Sequence, residues 1–433
     1  MLTHRKRGHR KRGHRKLGRL ARLVAAGLVS LAVLPAAPAL GAVAAPADAI
    51  RTNQQWVLDM LDAEAAWSVT RGAGVTVAVI DSGVNPHVSD LAGSVITGPN
   101  YTGVHTRPSS PNWGVHGTWM ASLIAGHGHA GGFSGIIGVA PAARILSIRA
   151  IPDRADPHYG KYEHERETVI QRSLADGIRY AVTHGAKVIS MSIGYSAPSG
   201  MVRAELQDAY DHGVVVVASA GNSGGPGSNS GHTGAPESFP ANYPGVISVG
   251  AVNSSAAVAS FSSDNLSVQV AAPGVSVPAQ GRDGQYWSVS GTSPACALVA
   301  GVAALIKSRY PDLSPDLVAS AMTSTATHRP AAGYDSQVGF GIVNAAAALT
   351  MAGRLARERS ATSSIRAAAT YHGALPPEPV GPRGPGPLIL FMLLALASLA
   401  LIAGAVTRLA VLRRSPGRSP ARSAARSPGR VNR

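Results

Sequence analysis

The chain has 433 residues, 45% of them hydrophobic and 14% charged, with a formal net charge of +16. That length supports a sizeable core, either as one large α/β domain with appendages or as two to three domains of about 150 residues. The excess charge sits in two tails, residues 1–22 with ten Lys/Arg and residues 408–433 with eight, neither holding an acid, so the stretch between is nearly neutral and a nucleic-acid partner is disfavoured.

The single cysteine, Cys296, excludes an intrachain disulfide and a Cys-rich metal or redox centre. Residues 1–44 read as a signal peptide. A basic start precedes an apolar run over 23–34, too short to span a bilayer comfortably, and Ala42-Val43-Ala44 offers a small-residue cleavage site. An uncleaved signal anchor is the alternative, and either form exports the chain from residue 45 onward. Residues 45–70 form an N-terminal extension ahead of the main domain.

Residues 71–352 alternate short apolar runs with helical patterns. The runs cover 75–80, 145–151, 188–193, 214–219 and 246–252, and they are continuously apolar, as strands covered on both faces should be. Between two of them, Ile170, Leu174, Ile178 and Val182 mark one helical face, which Gly185 ends. A second helix uses Val202, Leu206 and Tyr210. This order predicts an α/β fold with a doubly wound, mainly parallel sheet and helices on both faces. Sites in such sheets lie at the C-terminal ends of strands.

Three motifs fall where that rule puts them. Asp81 follows the first apolar run directly, His116-Gly117-Thr118 opens an apolar helical segment, and Ser293-Pro294 starts a small-residue helix. Singly, each has a structural explanation: a turn cap, a core histidine, a helix cap. Together they supply what a serine nucleophile needs: an imidazole to take its proton, and a carboxylate to fix that imidazole's tautomer. Asn222, in Ala220-Gly221-Asn222-Ser223-Gly224, is placed to donate to an oxyanion, with the Ser293 N–H at a helix start as second donor.

With these motifs in order Asp, His, Ser, residues 71–350 resemble the subtilisin-like serine peptidases of family S8. The resemblance implies a triad of Asp81, His116 and Ser293 with Asn222 as oxyanion donor. It implies that Ser192, Ile193 and Gly194 bind substrate backbone as an added strand. Ala220, Gly221 and Ser223 then line the substrate site, with Ala218, Ser219 and Ser238 near the pocket for the residue before the scissile bond. Val115 stands where the family often has glycine. No cofactor is expected. The family's calcium site has no clear ligand set around Asp90, so calcium stays open.

Beyond the domain, residues 353–387 read as a linker, its second half dense in proline and expected as a semi-rigid extended spacer. Residues 388–406 carry no charge, and a transmembrane helix is expected over 388–407. Arg408, Arg413 and Arg414 come directly after it, which places the basic 408–433 tail in the cytoplasm and the domain outside. The plan as a whole, with Arg51, Gln54-Gln55-Trp56, Leu58-Asp59 and Ala66-Trp67 ahead of the domain, resembles the mycosins, membrane-anchored proteases associated with type VII secretion in actinobacteria. That resemblance implies a single-pass cell-membrane protein, a protein or peptide substrate and a type VII secretion membrane complex as partner. A structural subunit with proteolysis secondary, or a general surface protease, are the alternatives. His127-Gly128-His129 and residues 224–234 read as flexible Gly-rich loops, and Cys296 as a buried, inert thiol.

Overall fold

The computed structural model describes residues 49–129, 131, 134–164, 166–224, 237–371 and 386–413. The expected signal peptide, most of the proline-rich spacer, the 225–236 segment and most of the basic tail lie outside them.

In chain order the strands are β1 Thr76–Asp81, β2 Val95–Asn100, β3 His127–His129, β4 Ser134–Ile137, β5 Arg144–Arg149, β6 Val188–Met191, β7 Val215–Ser219, β8 Val246–Val252, β9 Val268–Pro273, β10 Val277–Gln280 and β11 Tyr286–Val289. Seven form one parallel sheet in the order β2-β5-β1-β6-β7-β8-β9. Two antiparallel pairs, β3-β4 and β10-β11, stand apart from it. Alternation along the strands fills two cores. Val77 and Val79 of β1, with Val215 and Val217 of β7, pack into one; Ala78, Ile80, Val216 and Ala218 pack into the other. Both faces are apolar because both are covered, which is why the runs show no polar alternation.

The helices are α1 Ala49–Leu61, α2 Ala63–Trp67, α3 Val115–Ala125, α4 Tyr159–His164, α5 Arg166–Thr183, α6 Gly200–Asp211, α7 Thr292–Arg309, α8 Pro315–Ser324, α9 Ala345–Tyr371 and α10 Gly386–Arg413. Helices α5 and α6 bury Ile170, Leu174, Ile178, Val202 and Leu206 in one core. Helices α3 and α7 fill the other. Small residues let α7 come close: a Cβ on Gly301 would stand 2.6 Å from the Val139 Cβ. Chain order reverses about β1, with β5 on one side and β6 on the other. The C-terminal end of β1 is therefore a topological switch point, where such sheets open a crevice.

The N-terminal extension is part of the domain. Gln54 is fully buried, donating to the Ile137 carbonyl at 2.6 Å and accepting from the Ile137 N–H at 3.0 Å. Trp67 donates its ring N–H to the Val139 carbonyl at 2.8 Å.

Two expectations change, and a third is left unestablished. The linker does not begin at Gly353, because α9 continues to Tyr371; residues 353–371 are rich in Ala, Arg and Ser and hold no proline, so nothing stops the helix there. His127–His129 is the ordered strand β3, paired with β4 and tied to Asp90 through His129. Finally, among the described residues no helix is long and apolar enough to cross a membrane. Side chains in α10 are described only over 392–408, where Met392, Leu393, Leu396 and Leu399 are exposed. The fold therefore does not establish the span expected at 388–407.

Candidate active site

Asp81 is the last residue of β1 and is fully buried. The Ser82 N–H donates to its Oδ1 at 2.7 Å. His116 is the second residue of α3, and its Nδ1 lies 2.8 Å from Asp81 Oδ1. With Nδ1 engaged by the carboxylate, Nε2 is the ring nitrogen left for proton transfer. The imidazole side chain is about 30% exposed. This approach requires glycine at 117: a Cβ there would collide with the Gly83 carbonyl oxygen and sit 3.3 Å from the Asp81 Cβ.

Burial works against the charged ring of His116. The Asp81 charge, the Asp81 hydrogen bond and the Asp153 charge outweigh it, and His116 titrates above the ordinary histidine value. Asp153 was not singled out by the sequence. Its Oδ2 accepts the Val115 N–H at 2.9 Å and its Oδ1 the His116 N–H at 3.0 Å.

Ser293 is the second residue of α7, after the N-cap Gly291 whose φ of 151° suits glycine. At rest its Oγ donates to the Ser192 carbonyl at 3.4 Å, while Ser192 Oγ donates to the Ser293 carbonyl at 3.0 Å. The Ser293 hydroxyl thus lies against the Ser192 carbonyl rather than on His116, a looseness common in sites without bound ligand. The Asn222 carbonyl accepts both the Thr292 N–H at 2.9 Å and the Thr292 hydroxyl at 3.0 Å. Those bonds fix which end of the amide is oxygen and leave the NH2 for the cleft. Thr292 also accepts the Gly221 N–H at 3.2 Å. Thr292 is a second group the sequence did not mark, since its role appears only once 221–222 and 292 meet.

His116, Ser192, Ile193, Gly194, Asn222 and Ser293 line one cleft of about 520 Å³, shared with Trp119, Asp153 and Tyr162. Ala220, Gly221 and Ser223 lie just behind it, held by Val249, Thr292 and Ser263. Ser238 stands between the two walls: a Cβ on Gly194 would lie 2.5 Å from its Oγ, and a Cβ on Gly221 would lie 3.4 Å from its Cβ. A larger open depression of about 960 Å³, bordered by Arg51, Arg71, His127 and His129, holds none of the predicted site residues.

Asp90 is filled by donors. It accepts the Ile136 N–H and His129 Nδ1, both at 2.7 Å, and the Tyr286 hydroxyl at 3.4 Å. A carboxylate surrounded by N–H and O–H groups does not fit a calcium ligand set, which calls for converging oxygens. Among the described residues no group of three or more His, Cys, Asp or Glu is arranged to hold a metal.

The profile of the Subtilase family matches residues 72–341. The chain belongs to the subtilase family. Subtilisin DY of Bacillus licheniformis is 36% identical over 278 residues, covering 64% of this chain and 92% of that protein. Subtilisin E of Bacillus subtilis is 35% identical over 277 residues, 64% of this chain and 66% of its own length. Among solved structures, MycP1 from Mycobacterium smegmatis aligns with a TM-score of 0.56 and 30% identity, over 68% of this chain and 84% of that one. The MycP3 protease of the type VII (ESX-3) secretion system aligns at 0.58 and 32%, over 68% and 87%. This subtilase therefore has the subtilisin-like α/β fold with a mainly parallel central sheet, and it is a serine endopeptidase.

Proposed function

We propose that this subtilase cleaves peptide bonds through Ser293, with His116 as general base and acid, Asp81 as its orienting carboxylate, and Asn222 with the Ser293 N–H as the oxyanion site. The observation that carries the reading is the 2.8 Å His116–Asp81 bond beside a cleft holding Ser293 at the start of α7. Ser293 Oγ attacks the scissile carbonyl carbon as its proton passes to His116 Nε2. Negative charge forms on the carbonyl oxygen, toward the Asn222 NH2 and the positive end of α7. One such donor typically contributes 10²–10³-fold in rate, about 3 kcal/mol. His116 then protonates the departing amine, and water, deprotonated by the same ring, releases the acid from the acyl-enzyme and restores Ser293. Substrate backbone would lie along Ser192–Gly194 as an extra strand.

The finer reading is a protease exported by residues 1–44, anchored by 388–407 with its domain outside the cytoplasm, and working beside a type VII secretion complex. The 19 uncharged residues of 388–406, the arginines after them and the MycP1 and MycP3 likeness support it. The test of the chemistry is Ser293→Ala. Peptidase turnover should fall by roughly 10⁴-fold or more with unchanged thermal unfolding. A fluorophosphonate probe should label wild type at Ser293. Labelling at another serine, or full turnover in the variant, would reject the assignment.

A further inference from the structure

We propose that Asp153 is a positioning residue for His116: its carboxylate fastens the first turn of α3 to the segment beyond β5 and so holds the imidazole on Asp81. This rests on the reading of His116 as general base.

Helix α3 starts with a deficit. Its N-cap is Gly114, in left-handed conformation, with no side chain to accept the first N–H groups. Both oxygens of Asp153 take that place, one on Val115 and one on His116 itself. Asp153 is 7% exposed. It lies four residues past Arg149, and Arg149 stands opposite Asp81 in the β1–β5 register. Two carboxylates, one ending β1 and one four residues past the end of β5, thus converge on one histidine, Asp81 on its ring and Asp153 on its backbone.

The surroundings define what the second carboxylate does. On the β1 side the nearby Ser82 hydroxyl favours the charged form of Asp153, and Asp81 supplies a like charge. From β5, Arg149 is committed to Asp156 at 2.8 Å and to the Ser82 carbonyl at 3.1 Å. From the β10–β11 turn, Arg282 feels the Asp153 charge and donates to the Pro108 carbonyl at 2.8 Å. Burial raises the Asp153 pKa; the His116 and Val115 N–H bonds and the Ser82 hydroxyl lower it; Asp81 raises it, and the balance lies above the ordinary carboxylate value. In its charged form Asp153, like Asp81, favours the protonated ring of His116. A plain helix cap would supply geometry alone. An anion at this place supplies geometry and a shifted base.

The experiment compares wild type, Asp153→Asn and Asp153→Ala. Ring titration of His116 is followed by NMR, with the resonance assigned by its loss in His116→Ala, and kcat/KM is measured against pH on a chromogenic peptide. Asp153→Asn should move the His116 titration and the acid limb of kcat/KM together to lower pH. It should also lower kcat by roughly 10-fold to 100-fold, the scale of a misplaced catalytic group, with KM nearly unchanged. Asp153→Ala should do the same with a larger loss in kcat. A fall in kcat with the His116 titration unmoved would reduce Asp153 to a structural cap and overturn the proposal. So would unchanged kcat and titration. Failure of the fluorophosphonate probe to label Ser293 in wild type would strike the functional reading instead, while the NMR titration still reads the coupling of Asp153 to His116.

Discussion

In the proposed mechanism His116 carries the pH dependence of this subtilase, and its two activities as a titrating group oppose each other. Catalysis needs the neutral ring, and the Asp81 and Asp153 charges hold its pKa above the ordinary 6.5. The acid limb of kcat/KM should therefore lie above 6.5 in the wild type and stay there in active variants that keep His116 and the carboxylates facing it. Stability runs the other way. The folded pKa is raised, so the contribution of the imidazolium pair is complete below the unfolded value near 6.5 and is lost as pH rises through the folded value. A kcat/KM profile beside thermal unfolding over pH 5–9 checks both signs; an acid limb below 6.5 would contradict the geometry. At this scale the places of Asp81, His116, Asn222 and Ser293 around one cleft were legible because each stands in a short motif near a strand or helix end. Asp153 and Thr292 were not. Their partners are backbone N–H groups and an amide oxygen, and nothing in the residues around them announces a fold-dependent contact.

Among the elements, α3 is positioned by the absence of a side chain. Gly117→Ala would push α3 away from the Gly83 carbonyl and pull His116 off Asp81. The expected result is a loss in kcat of roughly 100-fold, with the Tm lowered, read by peptide turnover and by the fluorophosphonate labelling rate. Labelling as fast as wild type would show that the Gly83–Gly117 approach does not set the site. The central strands were legible as apolar runs because both their faces are covered. The edge strand β2 was not: it is half exposed and carries Gly98 and Pro99. Nor was β9, whose alternation with Gln269 breaks the run. The linker expected from 353 instead begins as α9, because the proline-rich composition starts only at Pro376.

For the molecule as a whole, the N-terminal extension belongs to the core. Val57, Leu58 and Leu61 of α1 are buried in the same cluster as α3 and α7, and Trp67 packs against it. The sequence set residues 45–70 apart because they precede the first strand, and order along the chain says little about which face a helix covers. Gln54→Ala should leave the Ile137 N–H and carbonyl buried without their partner, at about 1–3 kcal/mol for each unsatisfied group. A Tm several degrees lower in Gln54→Ala, with kcat at the wild-type value, is the expected outcome of scanning calorimetry and peptide assay. An unchanged Tm would mean that α1 is a passive covering. Helices α2 and α9 touch, so the segments that enter and leave the domain do so side by side.

The lone thiol has a practical consequence. Cys296 sits one turn beyond Ser293, fully buried, and burial pushes its pKa up to about 12. Thiolate is the reactive form, so the folded chain is silent toward maleimides and disulfide reagents. A cysteine introduced on the surface would be the sole point of attachment for a dye or spin label, with no need to remove the native one. The native thiol in turn becomes a clock: it takes up reagent only when α7 leaves the sheet, so its labelling rate counts openings of the core.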